Sequence, residues 1–421
     1  MLLEFSLGNY RSFNRIQTLD FRATPLVSED KSVDDQNIIG IEGNRVLKTI
    51  GLYGPNGSGK SNLIKGFKLF CQLVRSSLES ETVMAFAAEP FKLSTSEYEH
   101  SGFFQVLLLI DEKKYRYGFT LSHDKEVQQE WLFGPAGKNE TWYFKRKGNL
   151  IESNKEWFEE GHRLPLDNLR SNTLFLTFVS AYNGALAKSL RQFFLRVSFE
   201  SNRSTTGRIA RRVNETLVVS SPVSSYSTNS LLREGKADLV LEWLKSAGLS
   251  YSNIKLEQST DRERELVVLE KSIYDSNGVE TGKVSLDLIE NESSGTQKFY
   301  NLIGRLYQKF LNGGIIVADE IDNNFHPSLL QQFIHFFNDK ELNRKGAQLL
   351  FTSHDTNLLN PNILRRDQIY FTEKSINDET ILYSLADLKG IRNNTDFARQ
   401  YLAGFYGALP ILQNFKLPNN D

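Results

Sequence analysis

Apolar and polar residues alternate over residues 2–7 and again over 18–21, the period of a strand with one buried face. A more continuous apolar run at 46–53 predicts a third strand, which enters Gly54-Pro55-Asn56-Gly57-Ser58-Gly59-Lys60-Ser61. Past that turn the spacing changes, and Leu63, Ile64, Phe67, Phe70, Cys71 and Val74 share one helical face. Residues 102–150 are rich in aromatic and β-branched side chains, interrupted by Asp111-Glu112-Lys113 and Ser122-His123-Asp124, which predicts an antiparallel meander. Helical spacing returns over 167–213 through Leu174, Phe175, Phe178, Leu186, Leu190 and Phe194. The serine-rich stretch 220–230 reads as an exposed loop or linker, followed by a helix over 236–246 that Gly248 ends. Residues 264–275 and 283–289 flank Ser276-Asn277-Gly278 and predict a hairpin. The rhythm then becomes α/β: helix 297–310, strand 315–318, helix 327–338, strands 348–352 and 368–371.

This order predicts an α/β mixed-sheet core with an antiparallel β subdomain and a mainly helical insertion. We divide it at 1–160, 161–250 and 251–421. Of the 421 residues 40% are hydrophobic and 24% charged, an ordinary globular balance that excludes a disordered or fibrous chain. The 50 Lys+Arg against 51 Asp+Glu argue against a protein that coats nucleic acid over its whole surface. Cys71 is the only cysteine, which excludes an intrachain disulfide, and the six histidines show no ligand spacing. Glu4 interrupts the apolar N-terminus and the longest apolar run, 103–110, is too short to span a bilayer, so we expect a cytoplasmic protein without a membrane partner.

Gly54 to Ser61 fits G-x-x-x-x-G-K-[ST] in full, between a predicted strand and a predicted helix. Gly54, Gly57 and Gly59 let the N–H groups of Asn56, Ser58 and their neighbours turn inward around phosphate. Lys60 supplies the counter-charge, Ser61 a hydroxyl for Mg²⁺, and Asn62 completes the candidate set. A glycine-dependent tight turn would use some of the same residues. The run Gly313-Gly314-Ile315-Ile316-Val317-Ala318-Asp319-Glu320 is a buried strand ending in two carboxylates, suited to a metal ligand at Asp319 and a water-polarising base at Glu320. Solvated acids often end a strand too; the P-loop gives this pair its meaning. Glu292-Ser293-Ser294-Gly295-Thr296-Gln297 opens a helix, where Ser293 or Ser294 is an N-cap in any case and the donors also suit an anion. His354 follows a buried strand in Thr352-Ser353-His354-Asp355, a place from which an imidazole can meet a γ-phosphate.

Taken in order, the P-loop, the Ser-Ser-Gly-Thr-Gln segment, the Asp-Glu strand and the Ser-His-Asp turn resemble the heads of ABC-type ATPases of the RecF, SMC and OLD branch. Gly8-Asn9-Tyr10-Arg11-Ser12-Phe13 resembles the N-terminal motif of those proteins, which implies that Arg11 approaches nucleotide; a surface arginine in a turn is the alternative. Asp319-Glu320-Ile321-Asp322-Asn323-Asn324-Phe325-His326-Pro327 and Tyr401-Leu402-Ala403-Gly404-Phe405-Tyr406-Gly407-Ala408-Leu409-Pro410 resemble RloA-like ATPases of bacterial phage-defence operons, with PARIS and abortive-infection ATPases similar in most features. The resemblance implies ATP and Mg²⁺ at the P-loop, with Ser61 and Asp319 on the metal and Glu320 on the water. It also implies a homo-oligomer of head-to-head dimers, in which Ser294, Gly295 and Gln297 close on the γ-phosphate of another subunit and His354 reports it. Thr296 and Phe405 depart from the pattern, standing where a second glycine and an arginine are expected. The Q-loop glutamine is open among Gln105, Gln128 and Gln129.

The implied function is ATP hydrolysis that controls a separate effector, a nuclease, in anti-phage defence. The alternative is a RecF- or SMC-like repair or maintenance ATPase acting on DNA, although the insert lacks heptad arms. Residues 188–212 carry Lys188, Arg191, Arg196, Arg203, Arg208, Arg211 and Arg212 against Glu200, either a solvated face or a surface for nucleic acid or an acidic partner.

Overall fold

The alternation at the N-terminus becomes the strand Leu2–Gly8, paired antiparallel to Gln17–Asp20 on one side and to Gly102–Ile110 on the other. The computed structural model describes residues 1–79, 89–93, 101–200, 227–258, 265–392 and 395–410. From Gly102–Ile110 the predicted meander continues through Lys113–Leu121, Val127–Ala136, Asn139–Lys147 and Leu150–Ser153, giving a seven-stranded antiparallel sheet. Its inner face lies on the helix Lys60–Ser76, with Phe5 4.9 Å from Phe67 and Phe70 stacked on Phe119 at 5.1 Å between ring centroids.

A second sheet, in the order Val197–Glu200, Ile315–Ala318, Gln348–Thr352, Thr49–Tyr53, Ile369–Lys374, Thr380–Ser384, is parallel except for its last strand. Both of its faces are covered, as its near-continuous apolar strands require. Ile50, Leu52, Val317 and Leu350 join the core shared with the helix Lys60–Ser76. Ile316, Leu349, Phe351 and Phe371 join a second core, built with the helices Ser294–Asn312 and Pro327–Asn338. The architecture is thus the expected α/β arrangement of a mixed sheet with an antiparallel subdomain. The hairpin forms as Glu265–Tyr274 with Glu280–Asp287, and Asn253–Gln258 adds a third strand.

Three local expectations are corrected. The run 46–53 is two strands: Asn44–Leu47 pairs with Ile38–Ile41, whereas Thr49–Tyr53 enters the parallel sheet. Between them the buried Lys48 donates to Asn338 O at 2.9 Å. Helical spacing over 167–213 gives the helices Phe175–Ala181 and Ala185–Leu195, but Val197–Glu200 is an edge strand of the parallel sheet. Within the serine-rich stretch Ser227 caps a helix, Thr228–Arg233; its earlier residues lie outside those described.

Candidate functional site

The parallel strands end on one edge, and the predicted motifs meet there. Thr49–Tyr53 delivers the glycine loop, in which Gly54, Gly57 and Gly59 take φ of 144°, 77° and 115°. A side chain on Gly54 would also collide with Thr372 O, and one on Gly59 with Thr380 Oγ1, so those two glycines answer to packing as well as to backbone conformation. The same threonines hold the loop: Ser58 Oγ is 2.6 Å from Thr372 Oγ1, and Thr380 Oγ1 is 2.8 Å from Ser58 O. Lys60 donates to Gly54 O at 2.7 Å and Pro55 O at 3.1 Å. Burial lowers its pKa, an effect that the nearby Asp319, Glu320 and Asp322 oppose. Asn56 and Gly57 are exposed at the mouth, and Asn62 donates to Ser12 Oγ at 2.9 Å.

Asp319 and Glu320 leave Ile315–Ala318 beside this loop. Ser61 Oγ donates to Asp319 Oδ1 at 3.1 Å, so the predicted hydroxyl and carboxylate are adjacent. Thr352, from the next strand, donates its hydroxyl to the same Asp319 oxygen at 2.8 Å and accepts from Glu320 N at 2.6 Å. One fully buried side chain therefore fixes both acids, a role that the sequence displays only as a strand residue. Glu320 sits at φ 52°, and its Oε2 accepts from Asn323 Nδ2 at 2.8 Å. His354 is exposed, and its backbone N–H donates to Asp322 Oδ2 at 3.2 Å.

The Ser-Ser-Gly-Thr-Gln segment is the N-terminus of the helix Ser294–Asn312. Ser293 Oγ accepts from Thr296 N at 3.2 Å and lies 3.0 Å from Thr296 Oγ1, so Thr296 serves the cap in place of the missing glycine. A side chain on Gly295 would strike Asn324 O. Lys298 closes the same contact by donating to Ile321 O at 3.0 Å and Asn323 O at 2.6 Å. The segment is thereby tied within one chain to the loop that carries Glu320. Gln297 donates to Ile289 O and Glu292 O at 3.0 and 2.9 Å, while Ser294 is exposed.

Arg11 has φ 52° and pairs with Glu89 through Nη2 at 2.8 Å, while its Nε is buried without a hydrogen-bond partner among the described residues. In its motif Ser12 meets the P-loop helix, its Oγ accepting from Asn62 Nδ2 at 2.9 Å. In the tail, Tyr401 stacks on Phe371 at 5.3 Å and Ala408 N donates to Glu373 Oε2 at 3.0 Å, one residue from the loop-binding Thr372. Phe405 is 74% exposed. Gln105 accepts from Trp131 Nε1 on the sheet face turned away from the P-loop helix. Of the basic segment, Arg191 is bound to Arg75 O at 3.0 Å and to Glu79, Lys188 and Arg196 are exposed, and Arg203, Arg208, Arg211 and Arg212 lie outside the described residues.

Residues 50–360 match the protein family described as "AAA domain, putative AbiEii toxin, Type IV TA system". The chain belongs to this family. The match runs from the P-loop strand past His354 and takes in every motif above except Arg11 and the tail. The AAA-domain chain is also similar to two solved structures. An SMC head domain from Thermotoga maritima is 11% identical, with 91% of this chain and 98% of that chain covered at a TM-score of 0.41. An Smc head domain with a coiled coil and joint from Pyrococcus yayanosii is 10% identical, with 96% and 99% covered at 0.44. No curated protein matches the chain. Among the described residues no helix is long and apolar enough to cross a membrane, and no group of three or more His, Cys, Asp or Glu could hold a metal ion. A cation at this edge would therefore rely on Ser61, Asp319 and oxygens supplied by a phosphate ligand, the habit of Mg²⁺.

Proposed function

We propose that this AAA-domain protein hydrolyses ATP at the Gly54–Ser61 loop, that its heads pair when ATP is bound, and that the paired state controls a separate effector, a nuclease, in anti-phage defence. The observation that carries the chemistry is the hydrogen bond from Ser61 Oγ to Asp319 Oδ1, which brings the two motifs to one point. Backbone N–H groups of Gly57 to Lys60 would face the phosphates, with Lys60 leaving Gly54 O to meet them. Ser61 and Asp319 fit Mg²⁺, which when bound supplies charge neutralisation between the terminal phosphates. Thr352 holds the Glu320 backbone N–H and Asn323 holds its carboxylate, which orients the attacking water and takes up its proton. Ser294, Gly295 and Gln297 would close on the γ-phosphate held by a second copy, and His354 would sense it from the exposed end of its strand. Support for the defence setting comes from the AbiEii-toxin wording of the family description together with the motif resemblance.

In the test, Glu320→Gln should bind ATP like the wild type and lose turnover by at least about a hundredfold. Lys60→Ala should lose both. Wild-type turnover in Glu320→Gln would remove Glu320 from the mechanism. If the neighbouring reading frame encodes a nuclease, co-expression with it, followed by phage challenge of cells carrying the wild type or Lys60→Ala, tests the effector; equal protection by the two would refute ATP control.

A further inference from the structure

The outer face of the seven-stranded sheet takes no part in the site above. Side chains alternate along a strand, and a bulge at Tyr143 resets the alternation on Asn139–Lys147, so Phe104, Phe119 and Phe144 are buried on the inner face, while Phe103, Trp131, Phe133 and Trp142 emerge on the other, each only partly buried. Phe103 lies on a strand apart from the other three in sequence, and register brings all four together. Trp131 lies opposite Gly118, Phe133 lies between Arg116 and Trp142, and Phe103 is a diagonal neighbour of Gly118. A Cβ on Gly118 would come within 2.6 Å of the Trp131 ring, so the indole rests on a position that only glycine leaves open. Its Nε1 donates to Gln105 Oε1 at 3.1 Å, and the Phe103 ring sits beside it at 5.6 Å with 31° between planes.

Cations accompany the rings. The Arg116 guanidinium is 4.4 Å from the Phe133 centroid, and Lys145 Nζ is 5.6 Å from Phe133 and 5.7 Å from Trp142. Lys145 is also the cross-strand partner of Trp131, and Lys147 that of Gln129. Glu140 pairs with Arg116. Cross-strand aromatic and cation pairs stabilise a sheet on their own account, but two tryptophans and exposed lysines on a sheet face left partly open by the described residues exceed what that role requires. Protein interfaces are depleted in lysine, whereas flat rings interleaved with cations are what unpaired bases and their phosphates demand.

We propose that this face binds single-stranded nucleic acid, with bases stacking on Trp131 and Phe103 and the phosphate backbone following Lys145, Lys147 and Arg116. A duplex, whose bases are already stacked on one another, would offer only its phosphates to this face. This inference is independent of the ATP reading.

The test is fluorescence anisotropy of a labelled oligothymidylate of about 20 nucleotides, titrated with the full-length protein at low and high salt. Wild type should bind and weaken with salt; Trp131→Ala and Lys145→Glu should each weaken binding about tenfold, and Trp131→Phe should retain most of it. ATP turnover and melting temperature are measured on every variant, and turnover should be unchanged, so a failure of the ATP reading is seen separately. Competition by unlabelled single-stranded DNA or RNA supports the proposal and distinguishes the two. No binding by wild type, stronger competition by duplex, or wild-type affinity in Lys145→Glu overturns it, and Lys145 is exposed enough that its variant serves even if Trp131→Ala fails to fold.

Discussion

Arg11 is held in a backbone conformation that a side chain seldom adopts, while its neighbours favour its charge. The left-handed backbone, an Nε buried without a hydrogen-bond partner among the described residues and the desolvation of its guanidinium oppose the arrangement, but Tyr10 and Glu89 outweigh the desolvation and raise its pKa, and Glu89 adds a backbone acceptor for Arg11 N at 2.6 Å. If Arg11 serves nucleotide as the motif resemblance implies, Glu89 competes with phosphate for it. Glu89→Gln should then tighten ATP binding by about two- to fivefold, the worth of a half-exposed ion pair, and the gain should vanish in an Arg11→Ala background. Calorimetric titration of the four proteins with ATP decides this; equal affinities in wild type and Glu89→Gln would detach Arg11 from the nucleotide. The glycine loop was legible because its chemistry is local, eight consecutive residues between a strand and a helix. Thr352, Thr372 and Thr380 were not, because each acts across strands that are distant in sequence and carries no motif of its own.

Elements were read well where one face repeats and poorly where partners are remote. Helices with a clear 3.6-residue stripe, such as Ser294–Asn312 and Pro327–Asn338, lie where the spacing placed them. The four-residue edge strand Val197–Glu200 is too short to show a period, and its pairing partner begins more than a hundred residues later. At 46–53 the apolar run hid a break, because a single lysine in such a run reads as solvent-facing. Lys48 instead turns inward between two sheets, and burial pushes its pKa down to about 8 from 10.5. The folded state then binds fewer protons than the unfolded chain between those values, so Lys48 destabilises most at and below pH 8, and the penalty is relieved as pH rises. Relative to Lys48→Met, wild type should gain about 2 kcal/mol between pH 8 and about pH 10, measured by urea unfolding of both proteins. A difference that stays flat over that range would show that the ammonium is not desolvated. The aromatic row on the outer sheet face was hidden for a related reason: Phe103, Trp131 and Trp142 become neighbours only through register.

At the scale of the whole molecule the question is how many chains make one site. Lys298 and Gly295 fasten the Ser294 turn to the loop bearing Glu320, so a subunit that contacts a partner's phosphate through Ser294 feels it at its own base. Two identical chains related by a two-fold axis would form two such sites, each joining the P-loop of one chain to the Ser294 turn of the other. Ser294→Arg places a bulky cation on an exposed first turn, which should leave ATP binding to the monomer intact and abolish ATP-driven pairing of the mutant with itself. Lys60→Ala has an intact Ser294 turn and a failed P-loop. In a mixed dimer one site joins the sound P-loop of Ser294→Arg to the sound turn of Lys60→Ala, and the other site carries both defects. An equal mixture, in which half the dimers are mixed and each has one working site of two, should recover about a quarter of wild-type turnover, rising and falling with the mixing ratio. Size-exclusion chromatography with ATP should show the mixed dimer under the same conditions. If no ratio restores turnover while each variant retains its fold, the sites are not shared between chains, and Ser294, Gly295 and Gln297 return to being the cap of their own helix.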